Sequence, residues 1–163
     1  MGIAAISFET ARLQAVAVTV PTAEFVRDLD AILTQDVLAH VPPPLRHVSS
    51  ASDWIATRLQ ESDVLQINEI SSGKSIGLIL LARFGDDVHL GYLLGKDVWG
   101  KGYASEMLQG LLPELRKSGA CRVIGGVSKD NPASARVLVK SGFKPGKDSD
   151  DGMTHYVWPA PDK

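Results

Sequence analysis

From residue 13 onward, short apolar runs alternate with one-sided apolar stripes, and each change of period marks the edge of an element. Residues 13–18 read as a strand, after which Pro21-Thr22 opens an amphipathic helix over about 23–33. The stretch 34–47 contains Pro42-Pro43-Pro44, which fixes φ and removes backbone donors, so it is expected to form an extended, semi-rigid loop. Ser50-x-x-Asp53 reads as a capping box for a second helix through about Gln60, with Trp54, Ile55 and Leu59 as its buried stripe. Residues 64–70, 75–83 and 88–94 follow as three strands. The turns between them, Ser71-Ser72-Gly73-Lys74 and Gly85-Asp86-Asp87, predict antiparallel pairing.

Ala104, Met107, Leu108, Leu111, Leu112 and Leu115 then recur at helical spacing on one face of a helix beginning near Ala104. Pro113 is expected to kink this helix or break it near its last turn, and Gly119 to stop it. Residues 122–127 read as a buried strand. Asn131 caps a further helix with Pro132 at its first position, and Gly142 ends it. Residues 143–144 and 153–158 close the pattern as strands around a polar loop at 146–152. Strands and helices alternate without a linker, which predicts an α/β (α+β) fold: one domain over residues 1–163, with a mixed sheet flanked by helices on both faces.

Composition narrows the class. A chain of 163 residues that is 44% hydrophobic buries a core without staples. A net charge of -2 and no Lys/Arg run argue against duplex nucleic acid or an anionic membrane as a partner. The single Cys121 leaves no internal disulfide framework. Beside an apolar strand it is expected to be a buried packing residue in a reducing cytoplasm. The first residues lack a basic region and reach Glu9 too soon for a signal peptide, and Ile6 stands where myristoylation requires Ser or Thr. No run approaches the roughly 18 apolar residues of a membrane span.

Between the 88–94 strand and the following helix lies Trp99-Gly100-Lys101-Gly102-Tyr103-Ala104, which reads as an anion cradle suited to a diphosphate. Two glycines in three residues let the backbone turn and approach a ligand, and the helix's first N–H groups face outward with the positive dipole end behind them. From Gly95, GKDVWGKG fits a phosphate loop, but Gly102 replaces the magnesium-binding hydroxyl. From Gly100, GKGYAS starts a dinucleotide fingerprint, but Ser105 replaces its third glycine. From Trp99 to Ala104 the pyrophosphate loop of acetyl-CoA N-acetyltransferases, Q/R-x-x-G-x-G/A, fits except for Trp99 itself.

Downstream, the run from Asn131 to Phe143 is similar to the N-x-x-S/A…K-x-G-F element of the same enzymes. Together with TARL (Thr10 to Leu13), LGYLL (Leu90 to Leu94) and WGKGYASE (Trp99 to Glu106), it makes the chain resemble the GCN5-related N-acetyltransferase (GNAT) family, in its RimJ/RimL-type branch. The resemblance is specific over residues 88–143, the expected cofactor-binding core. It implies a mostly antiparallel sheet whose strands splay at an acyl-CoA cleft, with acetyl-CoA as cosubstrate and no metal. The pantetheine arm is expected beside Tyr92, Leu93 and Leu94, and the pyrophosphate on Gly100 to Ala104. Trp99, Lys101, Ser105, Asn131 and Ser134 complete the implied binding set. The implied acceptor is a protein N-terminal amine or a small amine, handled by a monomer or homodimer in which the strand near Tyr156 is a candidate pairing edge.

Amine attack on a thioester needs a neutral amine, donors for an oxyanion and a proton or hydrogen bond for the thiolate. His89, where many relatives carry Glu, is the first candidate base, because imidazole titrates near neutrality. The alternative reading is a surface-facing strand histidine. His155 is a second candidate, whereas His40 and His47 read as loop polar groups. Many relatives protonate the thiolate with a Tyr where this chain has Leu138, which leaves Ser134 as the candidate donor to sulfur. Asn131 reads as an N-cap, and the resemblance implies a compatible second role, holding the pantetheine arm or a buried water. The proline stretch either connects elements or borders the acceptor, and Tyr92, Trp99 and Tyr103 either pack the loop or shape specificity. Deprotonating a lysine at pH 7 costs about 4.6 kcal/mol against about 1–1.4 kcal/mol for an α-amine, so a site with no strong base favours the α-amine. Two other functions stay open: a catalytically silent acyl-CoA sensor and, more remotely, a phosphate-loop nucleotide hydrolase.

Overall fold

The computed structural model describes residues 6–129, 131–148 and 152–159. Its strands are β1 (Phe8–Glu9), β2 (Leu13–Val18), β3 (Asp63–Glu69), β4 (Ser75–Phe84), β5 (Asp87–Leu94), β6 (Arg122–Ser128), β7 (Lys144–Asp148) and β8 (Met153–Trp158). They form one sheet in the order β1-β2-β3-β4-β5-β6-β8-β7. Every neighbouring pair is antiparallel except β5 and β6. The helices are α1 (Ala23–Ile32), α2 (Gln35–Leu38), α3 (Ala51–Glu61), α4 (Tyr103–Lys117) and α5 (Pro132–Lys140).

β4 explains the layering. Its first seven residues, SIGLILL, are all buried, because helices cover both of its faces. Ile79 and Leu81 join the core beneath α4 and α5, with Met107, Leu108, Leu111 and Leu138. Leu78 and Leu80 join the opposite core beneath α1 and α3, with Phe25, Leu29, Trp54 and Ile55. Residues of β5 alternate in the same way: Val88, Leu90 and Leu94 belong to the first core and Leu93 to the second.

The register between β5 and β6 sets up the site. Their parallel pairing runs from Asp87↔Arg122 to Leu90↔Gly125 and then stops. β5 stays paired with β4 as far as Leu94↔Gly77, while β6 stays paired with β8 as far as Ser128↔Met153. Beyond Leu90 the two strands therefore follow different neighbours, and a slot opens in the sheet. Gly77 permits this tight course, since a Cβ there would stand 2.2 Å from the Leu93 carbonyl oxygen.

Several expectations need correction. The 34–47 stretch is not an extended loop. Thr34 Oγ1 accepts from the Val37 N–H at 3.3 Å and caps the short α2, and Pro43–Leu45 is a 3-10 turn in which proline's fixed φ suits the first positions. Of the kink or break expected at Pro113, the break does not occur: α4 is helical on to Lys117, with Leu111, Leu112 and Leu115 buried on either side of the proline. In α3, capped by Ser50 as expected, Arg58 takes a buried position and Leu59 only a partly buried one. The Arg58 guanidinium lies over the Trp54 ring at 5.1 Å and pairs with Glu61 at 2.9 Å, so its stem packs while its charge is met.

Cys121 is exposed, because it precedes the strand, at a turn where its N–H donates to the Asp86 carbonyl at 2.8 Å. β7 extends to Asp148, well into the span expected to be a loop, and residues 149–151 of that span lie outside the described residues, as do residues 1–5 of the chain's opening patch. Tyr156 sits on β8 between β6 and β7, so its strand is not an edge. Among the described residues no helix is long and apolar enough to cross a membrane.

Candidate active site

At the end of β5 the chain makes one 3-10 turn (Lys96–Val98) and enters the glycine loop. Gly100 and Gly102 both adopt left-handed backbone, with φ of 76° and 79°. Gly102 is the N-cap of α4 and brings no side-chain acceptor, so the helix's first N–H groups are left for a ligand. Trp99 steadies the loop by donating from Nε1 to the Leu94 carbonyl at 2.9 Å. Tyr103 is buried, with its hydroxyl donating to Glu69 Oε2 at 2.5 Å. That bond, with help from Ser72, holds the Glu69 carboxyl below its usual range, and the same carboxylate pushes the Tyr103 phenol up.

The TARL segment anchors the loop from below. Arg12 donates from Nε to Glu106 Oε1 at 2.6 Å, from its backbone N–H to Glu106 Oε2 at 2.8 Å and from Nη1 to the Lys101 carbonyl at 2.9 Å. Its guanidinium lies 4.2 Å from the centre of the Tyr103 ring, and Thr10 Oγ1 also donates to Glu106 Oε2. Burial opposes ionisation of Glu106, but the bonds from Thr10 and Arg12 outweigh it and hold the carboxyl below its usual range. The sequence marked the TARL motif without giving Arg12 or Glu106 a task, because the partners are distant in the chain.

A cleft of about 640 Å³ runs from this loop between β5 and α5. Tyr92, Leu93, Leu94, Trp99, Gly100, Gly102, Tyr103, Ala104, Ser105, Asn131 and Ser134 all line it. Lys101 does not: it contributes the carbonyl that Arg12 holds. Arg136 and Lys140, one turn apart on α5, bring positive charge to the same cleft. Sequence reading missed this pair, although its i, i+4 spacing is a visible signal. Val37, His40 and Val41 roof the cleft. The roof is tied down by Lys96 Nζ to Asp36 at 2.6 Å, by the His40 ring edge-on to Trp99 at 5.4 Å and by Asn131 Nδ2 donating to the His40 carbonyl at 3.4 Å.

On α5, Asn131 Oδ1 accepts from the Ser134 N–H at 3.2 Å, the N-cap bond that orients this helix end. The Ser134 and Tyr92 hydroxyls lie 2.8 Å apart, and either can donate. Desolvation pushes the Tyr92 phenol up, with the Ser134 hydrogen bond opposing. Leu138 is buried in the core against β6.

A second cavity, of about 280 Å³, opens beside the first and shares Tyr92, Leu93, Asn131, Ser134, His40 and Val41 with it. His40, His89 and His155 all border it. His89 pairs with Ile124 and His155 with Gly126, two positions of equal parity on β6, so both histidines stand on one face of the sheet. His89 is exposed, with its ring edge-on to Phe84 at 4.9 Å, so it is both a surface histidine and a wall of this cavity. His40 also borders both cavities, whereas His47 lines neither.

Residues 21–144 match the family model of the acetyltransferase (GNAT) domain. The chain belongs to the GNAT acetyltransferase family. Solved structures agree on the fold. A GNAT-family acetyltransferase from Bacillus anthracis superposes with a TM-score of 0.76 at 18% identity, covering 93% of this chain and 96% of that one. The ribosomal-protein-S5-alanine acetyltransferase of Vibrio fischeri gives 0.72 at 16% identity, covering 93% and 94%. RimL, a ribosomal L7/L12 α-N-protein acetyltransferase solved with coenzyme A, gives 0.70 at 16% identity, covering 91% and 94%. No curated protein matches the chain.

GNAT enzymes use acetyl-CoA, and the residues present fit that molecule. The cleft volume is in the range of small-molecule sites, and two left-handed glycines and a helix N-terminus offer backbone donors to a diphosphate. Arg136 and Lys140 add cationic charge on the facing helix, and the unpaired side of β5 beyond Leu90 offers main-chain groups to an extended arm. The GNAT fold gives no support to a phosphate-loop hydrolase: β5 runs antiparallel to β4, and position 102 carries no hydroxyl.

Proposed function

We propose that this GNAT protein transfers the acetyl group of acetyl-CoA to a primary amine in a ternary complex, and that the acceptor is a protein N-terminal α-amine or a small amine. The observation that carries this reading is the end of β5–β6 pairing at Leu90↔Gly125, with a long cleft on one side and a smaller cavity adjoining it. The donor's pyrophosphate rests on Gly100 to Ala104, and its arm runs along Tyr92, Leu93 and Leu94 beneath Asn131. The acceptor amine enters the histidine-lined cavity.

Roles follow from the faces. His89 shares its strand parity with Leu93, which belongs to the core under α1 and α3, while Tyr92 packs against the core on the α5 side with Ser134 opposite. A base on one face and a hydroxyl donor on the other let the attacking amine and the departing sulfur of one tetrahedral carbon be served by separate groups. His89 receives the amine proton, with His155 as its neighbour, and Ser134 donates to the sulfur. The lone thiol and the acyl-CoA donor support a cytoplasmic setting, for a monomer or a homodimer.

Calorimetric titration with acetyl-CoA, with ATP plus magnesium as the comparison, tests the donor site. Thiol release from the same samples with mixed peptide N-termini and small amines tests transfer. Binding with thiol release is expected. The second reading, a silent acyl-CoA sensor, is favoured by Leu138 where many relatives place a hydroxyl. Binding without release across the whole panel would establish it, and no binding of acetyl-CoA would end both readings.

A further inference from the structure

Position 138 is filled by a leucine that is 1% exposed, so α5 has no phenol to offer the departing sulfur. The facing strand has one. Tyr92 Oη stands 2.8 Å from Ser134 Oγ, and the two hydroxyls join the two walls of the donor cleft where it meets the acceptor cavity, since both residues line both spaces. A serine hydroxyl is too weak an acid to protonate a thiolate alone, whereas a phenol, even with its acidity lowered by burial as at Tyr92, is a far stronger proton source.

We propose that Tyr92 and Ser134 form a two-hydroxyl relay to the leaving thiolate, with Tyr92 on β5 supplying the proton that position 138 cannot. The inference rests on the transferase reading above. In the step, the neutral amine nitrogen bonds to the thioester carbonyl carbon, and the resulting tetrahedral centre collapses with the C–S electron pair leaving on sulfur. The Ser134 proton passes to that sulfur as the Tyr92 proton passes to Ser134 Oγ. The products are an amide, a free thiol and a Tyr92 phenolate. The proton shed by the amine nitrogen, carried through base and solvent, restores the phenol, so the cycle is balanced without another reactant. The Tyr92 main chain borders the donor's arm, but its hydroxyl reaches the sulfur only through Ser134, which makes the phenol a positioning group and proton reservoir.

Tyr92→Phe keeps the ring that packs on the core and removes only the hydroxyl. Expected results are an acetyl-CoA Kd within about threefold of wild type and a kcat lower by about 10²-fold, the scale of general acid catalysis. A second readout needs no turnover: the thiol of bound, unacylated CoA, followed by its ultraviolet thiolate absorbance, titrates at least one pH unit lower in wild type than in Tyr92→Phe. A donor to the anionic sulfur favours the thiolate, so the variant is expected to lose that help. Ser134→Ala is expected to match Tyr92→Phe in both readouts, and the double variant to be no slower than the slower single one, because one broken link already stops the relay.

Unchanged kcat and thiolate titration in Tyr92→Phe would overturn the relay. So would a double variant slowed by the product of the two single effects, or a Kd change with kcat intact. Failure of the transferase reading appears separately, as a wild-type protein that binds acetyl-CoA and releases no thiol. In that case the thiolate titration alone decides whether the two hydroxyls serve the sulfur.

Discussion

Arg12 and Glu106 meet at 2.6 Å across 94 positions of chain, and the same arginine donates to the carbonyl of Lys101 inside the glycine loop. The start of the sheet thus fixes the backbone of the loop proposed to carry the donor's phosphates. Arg12→Ala is expected to raise the acetyl-CoA Kd about tenfold, roughly 1.4 kcal/mol, and to leave the acceptor KM unchanged. Calorimetry and steady-state kinetics check the two halves of that statement.

Gly102 has open space around it: a methyl group added at its Cα would meet only Arg12 Nη2, at 3.6 Å. The obstacle to a side chain is its φ of 79°, where an L-residue loses about 1–2 kcal/mol. Gly102→Val adds a β-branch to that strain and is expected to abolish acetyl-CoA binding while the protein still folds. Circular dichroism alongside calorimetry separates the effects.

Stability is expected to fall in acid through Glu69 and Glu106. Both carboxyls are held below the ordinary 4.5 in the folded chain. The stabilisation is therefore complete above about pH 4.5 and lost as pH falls through the depressed folded values. Urea midpoints from pH 7 to pH 3 are expected to decline less steeply in Glu106→Gln than in wild type, with the two curves converging at the acid end.

His89→Ala tests the base. A fall in kcat of about 10²-fold, together with loss of the acid limb of the pH–rate profile, is the expected outcome. An unaltered profile would transfer the role to another group bordering the second cavity.

Cys121 is exposed on the turn before β6, at the end of that strand away from the slot. A maleimide is expected to label it in the native protein without reducing acetyl-CoA affinity. In a thiol-release assay it contributes one equivalent of background, measurable before donor is added.

The sequence was most readable where the physics is local. Ser50, Asn131 and the glycines after β5 marked helix starts because a cap or a left-handed turn is decided within a few residues. Strand alternation located β2 to β6 and β8 to within a residue or so. β1 escaped because two residues, Phe8 and Glu9, carry no periodicity and exist as a strand only through pairing with β2. The proline stretch misled because three prolines suggest extension, whereas Thr34 and the fixed φ of Pro43 and Pro44 nucleate turns. Arg12 to Glu106 and Tyr92 to Ser134 were beyond reach for one shared reason: each is made by the sheet, between residues that have no spacing rule to connect them.

By surrendering its neighbour after Leu90, β5 carries a raw edge into the middle of the sheet, roofed by residues of the 37–41 segment. An open edge ordinarily invites another protein's strand, but a narrow, covered slot admits a slender chain and turns away a bulky one. On the proposed reading, the molecule that completes this sheet is the acyl-CoA arm, drawn from metabolism rather than from the gene. Since bound ligand adds RT ln(1 + [L]/Kd) to folding stability, the surviving amount of this protein would rise and fall with the acyl-CoA supply, even before any amine is acetylated.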